Sequence, residues 1–300
     1  MLQKIDQDAF SSYHPLILFL YFCVVLSFNM FFMHPVILMI SLFSVFIYSV
    51  ILNGTKALKF NVLYMLPITL IVALINPLFN HSGVTILFYL NNNPVTLESI
   101  VFGVILAVLF ISVMIGFSCF NKVMTSDKLM YLFGKLIPIL SLMFSMTLRF
   151  VPRYKAQLKR ISNAQKCIGM DASRGNIIKR IKNGVRMISI LITWALENAI
   201  ESADSMKARG FGLKGRTSFS VFSWKKRDKI FIVFEIILFV IILTGMELGK
   251  FKSEYIPMII ISGMDEKSFL FFLTYAVFCL LPVMADVKES IVWSKLKSIA

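Results

Sequence analysis

The chain of 300 residues is 58% hydrophobic, with 29 Phe and a mean hydropathy of +0.79, a composition that soluble domains do not reach. Net charge is +15, and Asn121 to Lys229 alone holds 22 Lys or Arg against 6 Asp or Glu. Apolar runs near the ~20 residues of one helical span argue against a β-barrel of alternating ~10-residue strands, and basic runs without interleaved aromatics argue against nucleic-acid binding.

Four uncharged runs come first, at about Pro15 to Met33, Pro35 to Leu52, Phe60 to Phe79 and Ile100 to Phe120. The link Asn53 to Lys56 is basic, whereas Asn80 to Leu97 has no Lys or Arg. Basic links belong on the cytoplasmic side, which places the N-terminus there. MLQKIDQDAF mixes charges of both signs, and the apolar run after it offers no small-residue cleavage site, so the first span is expected to remain as an anchor.

Leu136 to Leu148 is uncharged but short and reads as a buried or re-entrant helix, with Arg149 and Pro152 marking its boundary. Beyond it Val151, Tyr154, Leu158 and Ile161 share one helical face, and Arg153, Lys155, Lys159, Arg160 and Lys166 occupy others. That pattern predicts an amphipathic interfacial helix. Gly169, Gly175 and Gly184 punctuate the next stretch, and a second helical pattern runs from about Arg186 to Arg209. Its first part, Met187 to Leu196, is apolar, and its last part sets Glu197, Glu201 and Asp204 on one stripe. A basic tail, Lys214 to Lys229, leads to a fifth span at about Ile230 to Met246, containing Glu235, and a sixth at about Phe269 to Ala285.

The expectation is an all-α polytopic membrane protein of six to eight membrane helices, with long cytoplasmic helices between the fourth span and the C-terminal spans and both termini inside. Residues 1–120 form the N-terminal membrane helices, 121–229 the basic cytoplasmic or interfacial region, and 230–300 the C-terminal membrane helices and tail.

Catalytic chemistry is not expected. Neither Gly134-Lys135 nor Gly249-Lys250 continues into the Ser or Thr of a phosphate-binding loop. His14, His34 and His81 are isolated, and the four cysteines form no CxxC pair, so no bound metal or other cofactor is expected. A self-contained carrier or channel would need ionisable groups within several spans, and these spans are nearly devoid of them. A non-transporting scaffold resting its basic segment on anionic headgroups is a further alternative. Arg209, followed by Gly210 after a helix-forming run, offers a planar, always-charged fork suited to docking into a partner.

The run Glu201 to Gly210, ESADSMKARG, resembles the second Ala-Arg-Gly signature of the transmembrane T component of energy-coupling factor (ECF) transporters. Asn76 to Gly83 (NPLFNHSG) with Thr96 to Ser99 (TLES), Thr147 to Tyr154 (TLRFVPRY) and Asn163 to Lys166 (NAQK) are similar to further stretches of that family, in the same order. The resemblance implies a non-catalytic subunit of the bacterial-type plasma membrane. Its cytoplasmic coupling helices would insert their ends into two ABC-type ATPase subunits, where ATP and Mg are bound, while the bilayer-embedded scaffold holds a small membrane S component that captures a vitamin, other micronutrient or metal ion. It assigns ATPase coupling to Ala208, Arg209 and Gly210, and support of the coupling helices to Asp204, Met206, Ala164, Gln165, Arg149 and Pro152. The sequence departs from the family at the first signature, where Cys167-Ile168-Gly169 puts isoleucine in the arginine position. Arg174 and Gly175, six residues along, are the candidate replacement.

Overall fold

The computed structural model describes residues 8–54, 58–59, 61–90, 93–170, 176–213, 222–263 and 265–299. In chain order its helices are α1 (Pro15–Phe31), α2 (Pro35–Asn53), α3 (Leu66–Phe79), α4 (Leu97–Val123), α5 (Ser126–Leu136), α6 (Pro138–Cys167), α7 (Ile177–Ala208), α8 (Lys226–Glu247) and α9 (Glu266–Ile299). Two short hairpins, β1 (Ile86–Leu90) with β2 (Asn93–Thr96) and β3 (Ser253–Glu254) with β4 (Ile260–Ile261), accompany them, as do short helical turns at Phe10–Ser12 and Asn61–Met65. The chain divides into two compact units, residues 1–128 with 222–300, and residues 129–221.

In the first unit each of the six apolar runs falls on a helix. Four of these, α2, α4, α8 and α9, are long and apolar enough to cross a membrane, and α1 and α3 are shorter apolar helices. The chain is thus an all-α polytopic membrane protein. Proline stands in the first turn of α1, α2 and α3, where a missing N–H is tolerated because the helix would not have used it.

Lipid tails are as apolar as Leu, so helices in a membrane are held by close backbone approach and by hydrogen bonds between them. Both occur here. Asn29 of α1 donates to Ser112 of α4 at 3.0 Å, Ser41 of α2 shares a hydrogen bond with the same hydroxyl at 3.2 Å, and Tyr21 of α1 donates to the Cys279 carbonyl of α9 at 2.7 Å. Close approach is clearest between α3 and α4. Pro77, inside α3, has no N–H for the carbonyl of Ala73. Gly103 of α4 lies against that freed oxygen so tightly that a Cβ on it would stand 2.7 Å away.

Glu235 of α8 is buried, and neither of its carboxylate oxygens meets a donor among the described residues.

The turn Phe10–Ser12 is a second anchor of this unit. Phe10 is buried among the rings of Tyr21, Tyr48 and Phe231. The Lys128 ammonium donates to the carbonyl of Ser11 at 2.7 Å and to that of Val123 at 2.8 Å, and the Arg227 guanidinium donates to the carbonyl of Ser12 at 3.1 Å.

The segment Asn80 to Leu97, free of Lys and Arg, has its own structure. NPLFNHSG and TLES, separate in sequence, are tied together. Ser99 Oγ donates to the Asn80 carbonyl at 2.7 Å, Thr96 Oγ1 donates to the Ser82 carbonyl at 3.1 Å, and Thr96 also caps α4 by accepting from Ser99 N–H. Glu98 accepts from the Thr85 hydroxyl at 2.8 Å. Gly83 sits inside this knot, where a Cβ would stand 2.6 Å from both Thr96 Oγ1 and Glu98 Oε2. Gly83→Ala is expected to destabilise the protein by about 1–3 kcal/mol, the usual cost of overpacking, seen as a lower thermal midpoint in detergent. An unchanged midpoint would mean that the knot yields freely.

Two boundaries expected from the sequence are not found. α6 runs unbroken through Arg149 and Pro152. Pro152 removes one hydrogen bond, to Leu148, but both residues are exposed and the ring obstructs no packed neighbour. Gly184 likewise lies within α7 rather than between helices, because a glycine costs an exposed helix only about 1 kcal/mol.

Candidate functional site

The second unit is dominated by α6 and α7. Arg186 of α7 donates to the Met170 sulfur just past the end of α6, and Trp194 packs edge-on against Tyr154 with ring centroids 5.7 Å apart. The Arg153 guanidinium lies 5.4 Å from the centre of the Trp194 ring. Later residues of α7 meet earlier residues of α6, so the pair is antiparallel. The C-terminal ends therefore point in opposite directions, each about 20 Å beyond the Tyr154–Trp194 contact at 1.5 Å per residue.

Those two ends have the same backbone design. In α6 the N–H of Gly169 bonds to the Lys166 carbonyl at 3.1 Å and that of Met170 to the Gln165 carbonyl at 2.9 Å. In α7 the N–H of Gly210 bonds to the Lys207 carbonyl at 2.9 Å and that of Phe211 to the Met206 carbonyl at 3.0 Å. This paired 5→2 and 6→1 bonding is the Schellman motif, which needs a left-handed residue at the first position past the cap. Glycine meets that need at both ends, with φ of 74° at Gly169 and 76° at Gly210. Ile168 (φ −97°, ψ 15°) and Arg209 (φ −86°, ψ 12°) are thus the same cap residue on two helices.

The residues singled out in the sequence fall around these ends. Ala164 and Gln165 lie in the last turn of α6, Gln165 supplying one of the two carbonyl acceptors there. Asp204, Met206 and Ala208 lie in the last turns of α7, Met206 supplying the matching acceptor. Arg209 and Ala208 are exposed, and the Arg209 side chain meets no hydrogen-bond or ion-pair partner among the described residues. Because the terminal carbonyls are already taken by N–H groups, capping does not occupy its guanidinium. Arg149 and Pro152 sit in the middle of α6, away from both ends. Arg174 and Gly175 lie outside the described residues.

One feature escaped the sequence reading. Ile177, Ile181, Val185, Ile188, Ile192, Leu196 and Ile200 of α7 recur every three or four residues and are all exposed, forming an apolar stripe along the helix. Ile188 to Ile200 fall within the run read as helical from Arg186, but Ile177, Ile181 and Val185, separated by lysines and arginines, were not joined to it. No group of three side chains suited to hold a metal ion assembles among the described residues. His14 instead stacks on Trp224, and His81 contacts the Pro94 carbonyl.

The sequence was compared with known proteins. Residues 12–221 match the CbiQ family, described as cobalt transport protein. Among curated proteins, the energy-coupling factor transporter transmembrane protein EcfT of Lactococcus lactis subsp. cremoris is 35% identical over 105 residues, which are 35% of this chain and 40% of that protein. The protein of the same name from Leuconostoc gelidum subsp. gasicomitatum is 40% identical over 107 residues, 34% of this chain and 40% of that protein, and that of Staphylococcus aureus 38% identical over 112 residues, 36% and 42%. The chain thus aligns with about two-fifths of the length of the curated relatives it matches. With a family match running from the start of the first membrane helix through both long helices, the chain belongs to the CbiQ family, and the resemblance to ECF transmembrane components carried by its motifs is borne out.

Proposed function

We propose that this chain is the transmembrane coupling subunit of an ECF-type ABC importer. The observation that carries the reading is the pair of matched helix ends, facing opposite ways from one crossing and each presenting an exposed cap residue. Such ends are suited to engage two ABC-type ATPases at once, with Ala208, Arg209 and Gly210 forming one contact and the Gly169 end forming the other. The apolar stripe of α7 supports a role in holding a small membrane S component, which would carry the vitamin, micronutrient or metal ion. ATP and Mg belong to the partner ATPases, and the chain itself performs no chemistry. A multi-pass place in a bacterial-type plasma membrane with both termini cytoplasmic follows from the same reading.

Purification of the full chain from its native membranes in mild detergent, followed by reconstitution, tests this. The expected result is co-purification of ABC-type ATPase subunits and a small hydrophobic protein, with uptake into liposomes that requires all of them and ATP. Transport by the chain alone would establish the self-contained carrier instead, and a chain that comes out intact but alone and inactive would leave only a scaffold.

A further inference from the structure

The first strand of the β1–β2 hairpin is apolar on both faces. Phe88 pairs with Val95 and Tyr89 with Pro94, so these successive side chains of β1 point to opposite sides of the hairpin. Phe88 is 51% exposed and Tyr89 66%, and Ile86 and Leu87 before them are exposed too. An antiparallel pair resting on a core commonly turns one face inward and gives a polar face to water. β1, with the sequence Ile-Leu-Phe-Tyr-Leu, has no polar face to give. Nor does charge compensate nearby, since Asn80 to Leu97 contains no Asp, Glu, Lys or Arg.

The place of the hairpin in the fold says what surrounds it. Its base is fastened to the start of α4, where the Leu97 N–H donates to the Thr85 carbonyl at 3.0 Å and where Val95 and Thr96 are buried. That start is the opposite end of a membrane-crossing helix from Lys122. The apolar helix α3 also meets β2, and its last residues, Leu78 and Phe79, are exposed. Open apolar surface is therefore present on the hairpin and on the membrane helix that leads into it.

A protein partner lays one surface against one face and leaves the other wet, whereas a lipid interface surrounds both. The backbone sets the depth. A two-stranded sheet presents outer edges of N–H and C=O groups, which hydrocarbon leaves unsatisfied and which water among headgroups satisfies. Amphipathic rings such as that of Tyr89 also favour the headgroup level. We infer that β1–β2 is an interfacial anchor, lying among the headgroups and upper acyl chains of the leaflet at the start of α4, with Phe88 and Tyr89 inserted from its two faces. α3 has 14 residues, about 21 Å against ~30 Å of hydrocarbon, so its length alone does not set its height in the bilayer, and the anchor does. The inference does not depend on the coupling role proposed above.

Phe88→Trp and Tyr89→Trp, made separately in the full chain, put a fluorophore on each face. Each variant is incorporated without partners into nanodiscs of phosphatidylcholine and phosphatidylglycerol. The emission of the unsubstituted protein, from Trp194, Trp224 and Trp293, is subtracted. Folding of each variant is checked by Cys119 and Cys279, which are buried and should stay closed to a thiol-reactive dye. Both new tryptophans are expected to be quenched at least twofold by lipids brominated near the headgroup, and less by lipids brominated near the acyl-chain terminus. Lipid quenching at one position only would overturn the inference by showing a face turned to protein or water. Quenching of both by aqueous iodide, with none by lipid, would overturn it by placing the hairpin in water. Quenching of neither by lipid or iodide would overturn it by showing the hairpin covered by protein, a second copy of the chain included. Stronger quenching from the chain terminus would overturn the interfacial depth.

Discussion

Arg209→Ala is expected to leave the chain folded and inserted while lowering ATP-driven uptake by about 30-fold or more. The fold should not suffer, because the Met206 and Lys207 carbonyls at the end of α7 are bonded by the N–H groups of Phe211 and Gly210, and the arginine side chain caps neither of them among the described residues. Coupling should suffer, because truncating one member of a desolvated charge pair costs about 2–5 kcal/mol, much of it the penalty of leaving the partner carboxylates unpaired. Arg209→Lys keeps the charge but loses the planar fork, so partial activity is expected from it. The measurement is uptake into liposomes by the reconstituted complex, with co-purified ATPase as a second readout. Wild-type uptake by the alanine variant would remove Arg209 from the coupling machinery.

Gly103→Val should be the most damaging change inside the membrane unit. A Cβ at this position would stand 2.7 Å from the Ala73 carbonyl oxygen and 3.1 Å from Asn76 Cβ. The first of these is backbone held by its own helix, so α3 and α4 must separate along their contact. A cost of about 3 kcal/mol is expected, at the upper end for overpacked cores. It is read from the temperature at which a thiol-reactive dye reaches Cys119 and Cys279, both buried in the folded state. Gly184→Ala is the matched control, since a Cβ there meets nothing within 4 Å, and it is expected to be neutral or to stabilise α7 by about 1 kcal/mol. Equal midpoints for the two variants would show that close approach at Gly103 does not hold the helices.

The membrane helices were legible in the sequence because an apolar run of spanning length has few other uses, and all six runs became helices. The α7 end was legible too, since Arg209-Gly210 after a helical pattern specifies a cap and its left-handed successor. The equivalence of the α6 end was not. A search for Ala-Arg-Gly passes over Cys167-Ile168-Gly169, and only the hydrogen bonds to Gln165 and Lys166 reveal the same motif beneath a different side chain. Pro152 and Gly184 misled for the opposite reason. Each carries a local helix-breaking tendency of a few kcal/mol at most, and the long helices around them override it. The knot at Asn80 to Ser99 depends on side chains meeting backbone carbonyls 14 to 19 residues away, which periodicity does not encode.

The turn at Phe10–Ser12 has a topological consequence. Lys128 is the last residue before the chain leaves the membrane unit, and Arg227 lies shortly after its return at Phe222. Both grip consecutive carbonyls, those of Ser11 and Ser12. Within the membrane unit, the two residues that bracket the excursion in sequence are thus bound to neighbouring points of one short turn. The same turn is held from its other side by Phe10, which lies in a ring cluster drawn from α1, α2 and α8. Loss of the Phe10 ring would therefore loosen the seats of Lys128 and Arg227 together, although the two lie 99 residues apart in the chain.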